Sequence, residues 1–250
     1  MVKSGRRVWI IVLLSIIVCQ HAYAREGQFY GGSMSHRQEQ QADGSSLVII
    51  ELITGWVLGK GPCGAACSRT DIGRSTRSTR QMISSLDPGY LGHFILEYKR
   101  ADHRLETRDI DATVNKTYNE TVIDVDEYTQ WEQEKMHFGV LMEKDKREID
   151  ISFKGHSWRH ISFQSSTSNL SWHFQTKISS FIRSDTNRTN SSPRSLSRPI
   201  YRIALDRVST IYIQVVDAEG DFIICELARY IEAGIISFHP PTNVIVYEVG

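Results

Sequence analysis

The chain has 250 residues, 40% of them hydrophobic, and its 29 basic side chains match its 29 acidic ones. That balance gives no charge excess to draw nucleic acid, and the apolar content is that of a folded domain, not of a disordered chain. After residue 24 no stretch reaches the ~18 consecutive apolar residues that mark a membrane-spanning helix.

The first 24 residues read as a secretory signal. Lys3, Arg6 and Arg7 provide a positive start, Val8 to Val18 a short apolar run, and Ala22-Tyr23-Ala24 a small-x-small cleavage site. The expected product is exported, with no membrane span after cleavage. Arg25 to Ser46, rich in Gly, Gln and Ser, reads as a flexible leader. Leu47 to Leu58 is dense in β-branched residues and predicts a buried strand or short helix. Gly59 to Arg80 reads as a loop with a repeated arginine, Arg74, Arg77 and Arg80. Residues 25–89 thus form a polar leader and an unassigned segment, and 90–250 the expected domain.

Cys19 leaves with the signal, so Cys63, Cys67 and Cys225 remain. Cys63 and Cys67 could close a small loop and leave Cys225 reduced and buried. Cys225 paired with either of the others is equally allowed. Three cysteines are too few for a disulfide scaffold, and by sequence they lack the partners of a structural zinc site. Five Asn-x-Ser/Thr sequons begin at Asn115, Asn119, Asn169, Asn187 and Asn190 and mark surface in an exported eukaryotic chain.

Tyr90 to Lys99 predicts a strand. Thr121 to Gln133, acidic and polar, predicts a helix. Phe138 to Met142, Ile149 to Phe153 and Ile161 to Phe163 predict short strands. Asn169 to Arg183 places Leu170, Phe174, Ile178 and Phe181 on one helical face. Ser184 to Pro199 is a long loop. Ile200 to Ile203, Thr210 to Val216 and Asn243 to Val249 predict strands. His156 and His160 are four apart, but the glutamate of the zinc-protease motif is absent, so they read as structural. No metal site is expected.

Three short motifs carry a family likeness. Arg100-Ala-Asp-His-Arg104 resembles the Tyr-Arg-x-Asp-x-Arg opening of the cholera and heat-labile type enterotoxin A chains. Ser166-Thr167-Ser168 is similar to their Ser-Thr-Ser strand. Glu226, followed by Ala233-Gly-Ile235, resembles their catalytic glutamate and Gly-Ile segment. The resemblance spans about Tyr98 to the C-terminus.

It implies an α+β fold of the ADP-ribosyltransferase kind: two small antiparallel or mixed sheets with flanking helices, gripping NAD as a substrate. Arg100, Ser166, Thr167 and Ser168 would bind the dinucleotide. Glu226 would be catalytic, stabilising the charge that builds as nicotinamide departs. A host protein would accept the ADP-ribose, with a delivery subunit as a further partner, in the manner of a secreted toxin. Ile224 stands where arginine-modifying members carry a second acid, which implies another acceptor or a chain that has lost the activity.

Two alternatives stand beside this one. Glu226-Leu-Ala-Arg229-Tyr230 resembles the glutamate–arginine core of ribosome-inactivating N-glycosidases. A secreted, non-catalytic glycoprotein is the other.

Overall fold

The computed structural model describes residues 28–78, 93–100, 105–109, 118–155, 172–198, 200–201 and 208–226. Among these the chain forms eleven strands and one three-residue 3-10 helix, Arg69–Asp71. The strands are β1 (Phe29–Gln40), β2 (Ser46–Val57), β3 (Ser75–Ser78), β4 (His93–Arg100), β5 (Leu105–Asp109) and β6 (Tyr118–Asp126). They continue as β7 (Trp131–Met142), β8 (Lys146–Gly155), β9 (Trp172–Ser179), β10 (Arg194–Ser195) and β11 (Val215–Val216).

Five strands lie in the order β1-β2-β7-β6-β3 and four in the order β5-β4-β8-β9, all antiparallel, with β10 and β11 as a separate ribbon. The expected α+β class with flanking helices is therefore overturned: the described chain is antiparallel β. Strands from both sides of residue 90 share the larger sheet, since β1, β2 and β3 are bonded in one array with β6 and β7.

Alternation builds the core. In β2 the even residues Val48, Ile50, Leu52 and Trp56 face inward, and in β7 Met136, Phe138, Val140 and Met142 do the same. Ser46↔Met142 through Val57↔Trp131 are directly opposite, so the two rows form one apolar surface. A three-residue turn, closed by the Lys146 amide on the Glu143 carbonyl at 3.0 Å, leads from β7 into β8 of the other sheet. There the odd residues Ile149, Ile151 and Phe153 point inward and join Trp172 and Ile178 of β9 in one core cluster. Phe29 stacks on Trp172 at 4.4 Å between ring centroids, and Phe153 tilts against the same indole at 4.8 Å. At Gly155 any Cβ would collide with the Trp172 ring, so backbone and indole are in direct contact.

The sheets also meet along one side, where edge strand β1 lies against edge strand β9. His36 Nδ1 and Thr176 Oγ1 are 2.8 Å apart, and Gln38 Nε2 donates to the Ser179 carbonyl at 2.9 Å. Burial holds the His36 imidazole down at about 4, against weaker upward pulls from the Asn190 carbonyl and Glu219. It is therefore neutral at pH 7, as a sheet-edge contact inside the protein requires.

Three local expectations are corrected. The polar leader contains β1, joined to β2 by a turn in which Asp43 Oδ1 accepts from the amide and hydroxyl of Ser45, with Gly44 at φ 82°. The helix expected over Thr121–Gln133 is the end of β6, a turn and the start of β7. Asp126 Oδ1 caps that turn by accepting from the Tyr128 and Thr129 amides. The helix expected over Asn169–Arg183 is β9, in which Trp172, Thr176 and Ile178 are buried one residue in two.

The strands expected near Phe138–Met142, Ile149–Phe153 and Leu47–Leu58 are present, and that at Tyr90–Lys99 is β4. Of Thr210–Val216 only Val215–Val216 is strand. The signal segment, the segment at Ile161–Phe163, His156, His160, Asn115, Asn169 and the closing strand at Asn243–Val249 lie outside the described residues. No helix among the described residues is long and apolar enough to cross a membrane.

Trp172 holds the two sheets together from one end, so Trp172→Ala should cost about 3–5 kcal/mol of unfolding free energy, as large aromatic-to-alanine core changes do. Urea titration followed by far-ultraviolet circular dichroism measures it. A loss below about 1 kcal/mol would show that the described core does not depend on this indole.

Candidate functional site

The core stripe of β7 changes character at its first turn of sequence. Below Met136 the inward positions are Glu134 and Glu132, both buried, and Glu120 of β6, opposite Met136, is buried beside them. The loop after β2 folds over this acidic end. Cys63 and Cys67 are joined by a disulfide and pack with Leu58 against Val122 and Val125, forming a second small core.

The loop is built to reach Glu132. The Gly59 amide donates to Glu132 Oε2 at 2.8 Å and the Gly61 amide to Oε1 at 2.7 Å. Gly59 takes φ 78°, the left-handed region that glycine enters freely. A Cβ on Gly61 would lie 2.5 Å from Glu132 Oε1 and 2.7 Å from the Trp56 ring, so only glycine brings the amide this close.

The two acids differ in environment. Burial raises the Glu132 carboxyl, while the two glycine amides pull it back down. Glu134 is raised well above the ordinary carboxyl range, first by burial and then by the charges of Glu132 and Glu120; the nearby Cys63 amide opposes this. Neither buried Glu134 oxygen makes a well-formed hydrogen bond, though the Cys63 amide and the Glu132 carboxyl are close enough to act on it. A carboxylate left so would cost several kcal/mol, and it relieves that cost by keeping its proton.

The residues expected to bind NAD are placed as follows. Arg100 ends β4, opposite Lys146, where the β4–β8 register shifts. Ser166, Thr167 and Ser168 lie outside the described residues. Glu226 is exposed and belongs to no strand or helix. Cys225 before it is a free, exposed thiol, so the buried Cys225 that accompanied a Cys63–Cys67 pairing is corrected to an exposed one.

Glu226 is the last described residue of an arm that follows β9 and is tied to β1 and β2. Arg183 binds Asp185 and Asp221, the latter through Nη2 at 2.8 Å, and donates to Asn190 Oδ1 at 2.7 Å. Those pairings raise the arginine further and hold Asp185 down at about 2. Glu219 accepts from the amide and hydroxyl of Ser191. Arg194 donates twice to Glu51 Oε1, at 2.9 and 2.6 Å, and His137 lies 2.8 Å from Glu51 Oε2. Ser192 and His36 exchange two hydrogen bonds, 3.0 and 2.7 Å, which tie the arm to the edge of β1. Pinned in this way, the arm presents Tyr212, Ile213, Phe222 and Ile224 to solvent, each at least 60% exposed.

Comparison with protein-family models, curated proteins and solved structures finds no match to this chain.

Sequence reading missed both places. A signal for the first was present: Cys63 and Cys67 lie four apart on a glycine-rich loop, and Glu132 and Glu134 share one face of a strand. The helix expected over Thr121–Gln133 takes in Glu132 and stops short of Glu134, so the pair does not read as one face of a strand.

The pH dependence of stability follows from the raised Glu134 carboxyl. Its folded value lies above its ordinary value near 4.5, so the folded chain binds the proton more tightly than the unfolded one. The stability tied to that proton is complete below the unfolded value and is lost as pH rises through the folded one. Glu134→Gln cannot ionise. Its stability relative to the parent should therefore increase as pH rises from about 4.5 through the folded value, in denaturant titrations at each pH with a chelator present. A difference that does not change with pH would show that Glu134 titrates as an exposed carboxyl does.

Proposed function

We propose that the protein is an exported, non-catalytic binding protein whose anchored arm docks an apolar surface of a partner protein. One observation carries this reading: four large apolar side chains, Tyr212, Ile213, Phe222 and Ile224, are exposed on a segment braced by its own ion pairs and tied to the body through Arg194–Glu51 and Ser192–His36. Exposed apolar side chains grouped on a rigid support mark interaction sites more often than solvated surface. An arm fixed before binding also loses little conformational freedom when a partner arrives.

The Cys63–Cys67 disulfide and the signal-like first 24 residues support an oxidising, extracellular setting. Asn187 and Asn190 are exposed on the same arm and suit glycosylation if the host glycosylates exported chains.

The transferase reading rests on the resemblance of Arg100, Ser166, Thr167, Ser168 and Glu226 to enterotoxin A chains, with NAD as substrate and a host protein as acceptor. Incubation with labelled NAD and host extract tests it directly. Transfer of label that Glu226→Ala abolishes would replace the binding reading, and adenine released from ribosomes would replace it with the N-glycosidase.

For the arm, the double variant Tyr212→Ser/Phe222→Ser should keep the parent's melting temperature and lose most of its binding of an apolar fluorescent probe such as bis-ANS. The unmodified protein should bind that probe while fully folded. Equal probe binding by parent and variant would end the proposal.

A further inference from the structure

We infer that reduction of the Cys63–Cys67 disulfide opens a buried site for a thiophilic divalent cation of the zinc class, held by Cys63, Cys67 and Glu132. Nothing in this inference depends on the arm. The two sulfurs and a Glu132 carboxylate oxygen all lie within 4.8 Å of one another, the spacing of atoms gathered around a single ion. Three residues separate the thiols, within the two-to-four-residue spacer of zinc-binding cysteine pairs. The pair that the sequence alone left without partners finds one on a distant strand.

The two thiolates and Glu132 supply three ligands and leave a fourth position for water. Glu134 is buried behind them, beside Glu132 and the Cys63 amide, and is not one of the gathered groups. Two further features suit the site. Glu132 is aimed by the Gly59 and Gly61 amides, the kind of outer support that orients metal ligands. Arg74 Nη2 lies 3.5 Å from Cys63 Sγ and 3.1 Å from the Cys63 carbonyl, so a positive charge already faces the thiolate. One divalent ion and Arg74 together balance two thiolates and one carboxylate.

The chemistry balances as a two-electron exchange followed by proton release. A dithiol reductant attacks one sulfur, the S–S bond breaks, and the reductant leaves as its own cyclic disulfide, while Cys63 and Cys67 become thiols. Cation binding then displaces one proton from each thiol to solvent. The loop has room to open: Gly64, between the cysteines, has no atom within 4 Å of where a Cβ would stand.

Cobalt(II) reports on the site because thiolate ligation gives it charge-transfer absorption in the near ultraviolet. The full chain, reduced with a phosphine and freed of excess reductant, should bind one cobalt per chain with that band; the oxidised chain should not. Zinc should displace the cobalt. Glu132→Gln should weaken cobalt binding at least tenfold while leaving the thiols titratable. Absence of the band in the reduced chain would overturn the inference, as would parental affinity in the Glu132→Gln variant. A reduced chain that loses its β-sheet circular dichroism and does not regain it with cobalt would also overturn it.

Discussion

The turn at residues 143–145 is the constraint on which the rest depends. It passes the chain from the middle of the five-stranded sheet to the middle of the four-stranded one. It also exchanges parity, so that even residues face the core in β7 and odd residues in β8. Because side chains alternate along a strand, a slip of one residue there would turn Met136, Phe138, Val140 and Met142 outward together. β2 is locked to β7 over twelve opposed pairs, so its own inward row would lose its facing partners at the same time. The aromatic group around Trp172 closes the far end of the space that this turn defines.

Fixed parity also explains why acids are inside the protein. Once Met136 to Met142 are inward, Glu134 and Glu132 must be inward too, for no bulge interrupts β2–β7 pairing between them. The chain does not avoid the resulting cost; it covers it. A loop of glycines and a disulfide folds over the carboxyls, gives Glu132 two amide donors and leaves Glu134 without a well-formed one. A core built for stability alone would carry apolar side chains at both positions, since apolar replacements of buried ionisable groups are often neutral or stabilising.

The sequence made part of this legible, for identifiable reasons. β2 and β8 are rich in Ile, Val and Phe over strand-length runs, so composition and length agreed. β9 was ambiguous: Phe174 and Ile178, four apart, fit a helical face and also two strand steps, and only the burial of Thr176 between them separates the periods. β1 was hidden because its inward row includes His36, whose burial is sustained by the hydrogen bond to Thr176 and not by apolar surface. Its hairpin signal, Asp43-Gly44 between two extended runs, was legible. The acidic site was not, because Glu132 and Glu134 count as solvated residues under any pattern until the register places them. Of the residues singled out by resemblance, Arg100 is held in a sheet ladder and Glu226 stands exposed on the arm.

The disulfide above the acids is a local device more than a global staple. Its cysteines are four apart in sequence, and chain-entropy reasoning gives so short a loop only about 2 kcal/mol of stabilisation. The larger sheet is meanwhile secured by a twelve-pair ladder and an apolar core that the disulfide does not touch. Opening the bond therefore removes a modest constraint from the unfolded chain and frees the cover over Glu132, without dismantling the strands that hold Glu132 and Glu134 in place. A bond that weak in global terms, placed over carboxyls that costly to bury, has more effect on what can reach the acids than on whether the sheets form.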